Sequence, residues 1–129
     1  MNKEPVFLTD KNHTVVLEAL TGVPNAAVPD SCKPFEVLTA NTSEGAAEKH
    51  LPVVEINGKH ITVKVGSIFH PMTEEHYIQW IYILTEKGGQ RKCFKPGDSP
   101  ELNFALTEDD KLIAAYAYCN LHGLWKAEL

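Results

Sequence analysis

The chain is poor in cysteine, with three at wide spacings (Cys32, Cys93 and Cys119), and it has no long apolar run, basic cluster, internal repeat or low-complexity tract. Each absence excludes a class. Three scattered cysteines build no disulfide framework, so the fold must rest on an apolar core, and a reducing compartment leaves at least one thiolate free for a metal. No apolar stretch approaches the ~20 residues of a membrane span, and the first residues lack the apolar core of a secretory signal. A cytoplasmic protein with no membrane contact is therefore expected. A net charge of −5 without a basic patch argues against nucleic acid as a partner. What is present is ordinary for a soluble protein, 43% hydrophobic and 22% charged residues in a chain of 129. That length suits one domain with room for a small appended lobe.

From Val53 onward the pattern is that of antiparallel sheet. Val53–Ile56, Asn57-Gly58 and His60–Val65 predict a hairpin, with Asn-Gly supplying the positive φ angles of a type I′ turn. Tyr77–Leu84 is β-branched and aromatic and is expected to stop near Gly88-Gly89. Further strands are expected at Lys92–Phe94, Leu102–Leu106 and Leu112–Tyr118, separated by Pro96-Gly97, Ser99-Pro100 and Glu108-Asp109-Asp110. Leu112–Tyr118 has helical propensity, but its brevity and flanking turns favour a strand. Short strands at this spacing predict an all-β sandwich over 41–129. The first forty residues differ: Val15–Leu17 and Phe35–Leu38 read as strands around a loop with Pro24 and Pro29, which predicts a small N-terminal lobe over 1–40. Between the two, Asn41–Lys49 has room for one short helical turn before Pro52 forbids continuation.

The chemistry concentrates in the second half. Cys119-Asn120-Leu121-His122 places a thiol and an imidazole two residues apart just after a strand, where a tight turn can aim both at one ion. His70-Pro71-Met72-Thr73-Glu74-Glu75-His76 adds two imidazoles on a loop between strands, and loops on a rigid sheet are good ligand carriers. His50 makes a fourth imidazole. Tetrahedral zinc closes at four ligands, whereas four nitrogens and one sulfur form a square pyramid that suits iron and leaves one face open. His60 and His13 have no evident partner, Cys32 and Cys93 read as buried or half-buried thiols, and Trp80 and Trp125 read as core aromatics, with Trp125 near enough to His122 to wall the site.

Taken together, Glu48-Lys49-His50-Leu51-Pro52-Val53, Val65-Gly66-Ser67 through His70-Pro71-Met72, Glu75–Ile81 and Cys119–Trp125 resemble the superoxide reductases, the desulfoferrodoxin and neelaredoxin group, over Asn41 to Lys126. That resemblance implies an immunoglobulin-like sandwich with one mononuclear iron, held by His50, His70, His76 and His122 in the plane and by Cys119 axially. It implies Glu48 as the carboxylate of the sixth position in the oxidised state and Lys49 as the cation beside the open face. Superoxide would be the substrate, rubredoxin or a similar protein the electron donor, and a homodimer or homotetramer the assembly. The first forty residues depart from the desulfoferrodoxin pattern. The expected Cys-x-x-Cys region reads Thr9-Asp10-Lys11-Asn12 and the later adjacent pair reads Ser31-Cys32, so a lobe without the rubredoxin-like iron is expected.

Three readings compete with a reductase: a zinc-binding structural or hydrolytic domain using the same side chains, a non-catalytic sandwich that binds a protein through its lobe, and an iron electron carrier. An open position beside a lysine favours substrate binding over the last.

Overall fold

A computed structural model describes residues 4–21, 28–43 and 45–129, so Pro24 of the expected lobe loop and Glu44 of the expected helical turn lie outside the described residues. The chain divides into two compact units between Thr39 and Ala40.

The first unit holds a three-stranded antiparallel sheet in which β1 (Phe7–Thr9) lies between β2 (Val16–Glu18) and β3 (Glu36–Val37). The strand β1 was not anticipated; Phe7, Leu8 and Thr9 are all buried, so it lacks the alternation that marks a half-buried strand. In the loop that follows, the Asp10 carboxylate accepts the Thr14 N–H at 2.7 Å and the Val15 N–H at 3.1 Å.

The second unit is a sandwich of two antiparallel sheets. One has three strands, β4 (Pro52–Asn57), β5 (His60–Val65) and β8 (Glu101–Ala105), with β5 central. The other has the order β10-β9-β6-β7, formed by β10 (Gly123–Glu128), β9 (Leu112–Cys119), β6 (Ile78–Thr85) and β7 (Gly88–Cys93). Alternation along β5 sends Ile61, Val63 and Val65 inward, where they meet Ile78, Ile81 and Ile83 of β6, Ala115, Ala117 and Cys119 of β9, and Phe94 and Phe104. At roughly 2 kcal/mol for each fully buried branched side chain, such a core stands without disulfides.

Leu112–Tyr118 is a strand, as expected, because its alanines fit the sheet. Ala115 and Ala117 lie opposite Ile83 and Ile81, small against large. The β4–β5 turn sits one residue later than expected. Asn57 pairs with His60, the turn is Gly58-Lys59, and positive φ occurs at Gly58 alone, the type II′ pattern. Gly88 and Gly89 do not end β6 but begin β7, after a turn at Glu86-Lys87. A side chain at Gly89 would meet the Tyr82 hydroxyl at 2.0 Å, which is why glycine tolerates this place in a strand. Cys93 is exposed rather than buried or half-buried: it ends an edge strand opposite Trp80, on the side away from the core, whereas Cys32 is half-buried. β10 was not anticipated either.

Candidate metal centre

The expected helical turn exists as α1 (Ala47–His50), a single turn that ends because Pro52 holds Leu51 in an extended conformation. His50 is its last residue and is 2% exposed. The turn presses against the chain after β5: Ile68 N–H donates to the Glu48 carbonyl at 3.0 Å and the Ser67 hydroxyl reaches the same oxygen at 3.3 Å. This approach needs Gly66, with φ of +86°, because a Cβ there would lie 2.7 Å from both the Glu48 carbonyl oxygen and the Lys49 Cα. The same loop delivers His70, 3% exposed. Cys119 is inward for the reason Ala115 and Ala117 are, as the last residue of the buried stripe of β9. His122 follows in the turn to β10, where Gly123 has φ of +76°.

These segments bring five side chains together. Donor atoms of His50, His70, His76, Cys119 and His122 all lie within 4.8 Å of one another. His50 Nε2 is 3.0 Å from His70 Nε2 and 3.1 Å from His122 Nδ1, and the Cys119 sulfur is 3.4 Å from His70 Nε2. His13 and His60 stand outside the cluster; His60 is exposed, with Nε2 3.2 Å from the Asn103 side-chain oxygen.

The protonation pattern tests whether the cluster suits a cation. His50 donates Nδ1–H to the Ala46 carbonyl at 2.8 Å and His70 donates Nδ1–H to the Pro71 carbonyl at 2.6 Å. A carbonyl only accepts, so each ring turns a bare Nε2 lone pair toward the other. His76 Nε2 is buried without a hydrogen-bond partner. Burial, the largest cause, pushes His70 down to about 4 and lowers His50 and His76, with neighbouring imidazoles and, for the latter two, the Lys49 cation adding to it. Burial pushes the Cys119 thiol up, opposed by backbone N–H groups of Leu121 and His122 that reach its sulfur. Buried imidazole lone pairs converging beside a thiol are the arrangement that a bound cation relieves, displacing the thiol proton as it binds. The residues fit a metal with mixed nitrogen and sulfur donors, and five donors exceed a tetrahedral zinc site.

Several supporting residues were not legible as such. Trp125 stacks on the His50 ring, with centroids 4.8 Å apart, and donates its indole N–H to the His122 carbonyl at 3.0 Å. The Ser43 hydroxyl donates to the same carbonyl at 2.5 Å. A Cβ at Gly45 would sit 3.0 Å from His50 Cε1. Asn120 bonds the chain on both sides of His76. Only Trp125 carried a usable signal, its closeness in sequence to His122. Glu48 and Lys49 are exposed on α1, beside His50.

The desulfoferrodoxin family model matches residues 42–128. The chain belongs to the desulfoferrodoxin family. A desulfoferrodoxin of Clostridium acetobutylicum is 36% identical over 129 residues, all of both chains. One from Nitratidesulfovibrio vulgaris is 45% identical over 96 residues, 74% of this chain and 75% of that one. Among solved structures, the superoxide reductase from Treponema pallidum superposes with a TM-score of 0.83 at 38% identity, covering 98% of this chain and 100% of that one. Within the desulfoferrodoxin family the similarity therefore extends, for some members, through the first unit as well as the sandwich. No helix among the described residues is long and apolar enough to cross a membrane.

Proposed function

We propose that this protein is a superoxide reductase, with one iron per chain held by His50, His70, His76, His122 and Cys119. The observation that carries the reading is the convergence of four imidazole nitrogens and one thiol sulfur within 4.8 Å in a member of the desulfoferrodoxin family. Iron bound there supplies the single electron that, with two protons, converts superoxide to hydrogen peroxide.

The protein's own contributions are these. Burial pushes the Cys119 thiol up, and the Leu121 and His122 N–H groups oppose it by stabilising negative charge on the sulfur, which favours the thiolate once a cation binds. Lys49 counters the net negative charge of the chain locally, drawing the superoxide anion toward the cluster. Glu48, next to it on α1, is assigned as the further carboxylate donor of the oxidised state. The electron donor is a small redox protein such as rubredoxin that delivers directly to this centre, the assembly is a homodimer or homotetramer, and three free thiols suit the cytoplasm.

The test is metal content and visible spectrum after oxidation and again after ascorbate. One iron per chain with a thiolate-to-ferric band that bleaches on reduction, followed by superoxide-dependent peroxide formation without oxygen release, is the expected result. Stoichiometric zinc and no such band after reconstitution with ferrous iron would defeat the reading.

A further inference from the structure

The four imidazoles of the cluster are not held alike. His50 and His70 each anchor a ring nitrogen to a carbonyl, whereas the ring of His76 has no hydrogen bond to protein among the described residues. A histidine that binds a metal usually has its ring fixed by a partner on the other nitrogen. For His76 what the protein holds is the backbone on either side of it.

That backbone is clamped from one side chain. The β6–β9 ladder ends at Ile78 opposite Cys119, and the next pair would be Tyr77 and Asn120. The Asn120 N–H does donate to the Tyr77 carbonyl, at 3.2 Å. Because the chain turns away there to deliver His122, the Tyr77 N–H is met by the Asn120 side-chain oxygen instead, at 2.9 Å. The Asn120 side-chain nitrogen in turn donates to the Glu75 carbonyl at 2.9 Å. One amide thus accepts from the residue after His76 and donates to the residue before it, the only orientation that satisfies both groups. On the far side the loop closes on itself, His76 N–H to the Thr73 carbonyl at 3.2 Å and Thr73 N–H to the His76 carbonyl at 3.0 Å.

We infer that Asn120 is a positioning residue that holds His76 in register with the Cys119–His122 turn, so that the two segments present their donors to the metal as one unit. This rests on the iron reading above. Asparagine is required because the clamp needs one acceptor and one donor on a short planar group; Asn120→Asp keeps the acceptor and sets a carboxylate oxygen against the Glu75 carbonyl.

The iron-loaded full chain is challenged with a strong chelator, and iron release is followed with the position of the thiolate-to-ferric band. Asn120→Ala is expected to release iron roughly 10–100-fold faster, the range for losing an outer partner of a ligand, with a shifted band. Asn120→Asp is expected to fall between it and the parent, and carries the test if Asn120→Ala does not fold. In a His76→Gln background, adding Asn120→Ala should change release by less than about twofold, because the clamp acts through His76. Unchanged release and band in the Asn120 variants, or an equal acceleration with and without His76, would overturn the assignment while leaving the iron reading intact. A parent chain that takes up no iron would overturn both.

Discussion

His50 and His70, whose rings are tied to carbonyls, and His76, whose ring is not, reach the same point by different means. The first two are buried, sit on a helical turn and a loop pressed together at Gly66, and donate Nδ1–H to carbonyls of their own segments. His76 is half-buried, on a loop closed at Thr73 and tied by Asn120 to the turn after β9. Rings fixed by their own hydrogen bonds need no metal to point correctly; a ring fixed through its backbone keeps freedom about its side-chain torsions. His50 and His70 are therefore preorganised, and His76 completes the site when the ion arrives.

The largest effects that would break this contrast come from the ligands. His50→Ala or His70→Ala is expected to cost more iron affinity than the roughly 100-fold upper range of losing an outer partner, and His76→Ala less than either, in competition with a chelator. Equal losses would mean that the three rings are equally organised. Next is Gly66→Ala, which places a Cβ 2.3 Å from the Ile68 carbonyl oxygen; a loss of about 3 kcal/mol in the denaturant unfolding of metal-free protein is expected. Gly58→Ala, where φ is +64° but nothing lies within 4 Å, should lose only about 1 kcal/mol.

The acid response of metal-free protein sharpens the contrast further. Burial, above all, pushes His70 down to about 4 from 6.5. Its folded pKa is below its unfolded value, so between those two pH values the unfolded chain binds more protons. The His70 contribution to stability is complete above about pH 6.5, falls as the pH drops toward about 4, and levels off below that. Unfolding free energies measured across this window should show the slope in the parent and a weaker one in His70→Gln; equal slopes would place the proton uptake elsewhere. A further effect, on rate rather than stability, concerns Lys49, whose cation acts on His50 and His76 alike. Lys49→Ala is expected to lower the second-order rate with superoxide by roughly one to two orders of magnitude and to flatten its salt dependence, while leaving iron retention unchanged. A rate unaltered at low ionic strength would remove that role.

What could be read from the chain follows the strength of local signals. The five clustered residues were visible because imidazole and thiol side chains are few and occur at ligand-like spacings, and β9 because its flanking turns left room only for a strand. The position of the β4–β5 turn was misread because Asn-Gly and Gly-Lys both satisfy a two-residue hairpin. Pairing of Asn57 with His60 decides between them, and it keeps Ile61, Val63 and Val65 inward. Gly88 and Gly89 read as a stop because glycine weakens strands; only the Tyr82 ring beside Gly89 shows why that glycine sits within one. Cys93 reads as buried or half-buried by residue type, and its place at the end of an edge strand puts it in solvent.

By itself, then, the sequence determined the donor set, the all-β class and the departure of the first forty residues from a four-cysteine lobe, because these depend on which side chains exist and on short-range periodicity. The tertiary structure alone decided how the donors meet. His50 and Cys119 are 69 positions apart, and their convergence depends on sheet register, on the absence of a side chain at Gly66, on the stacking of Trp125 against His50 and on hydrogen bonds from Ser43 and Asn120 to segments distant in the chain. Contacts of that kind have no local periodicity, since each is set by which strands pair rather than by any neighbour in sequence.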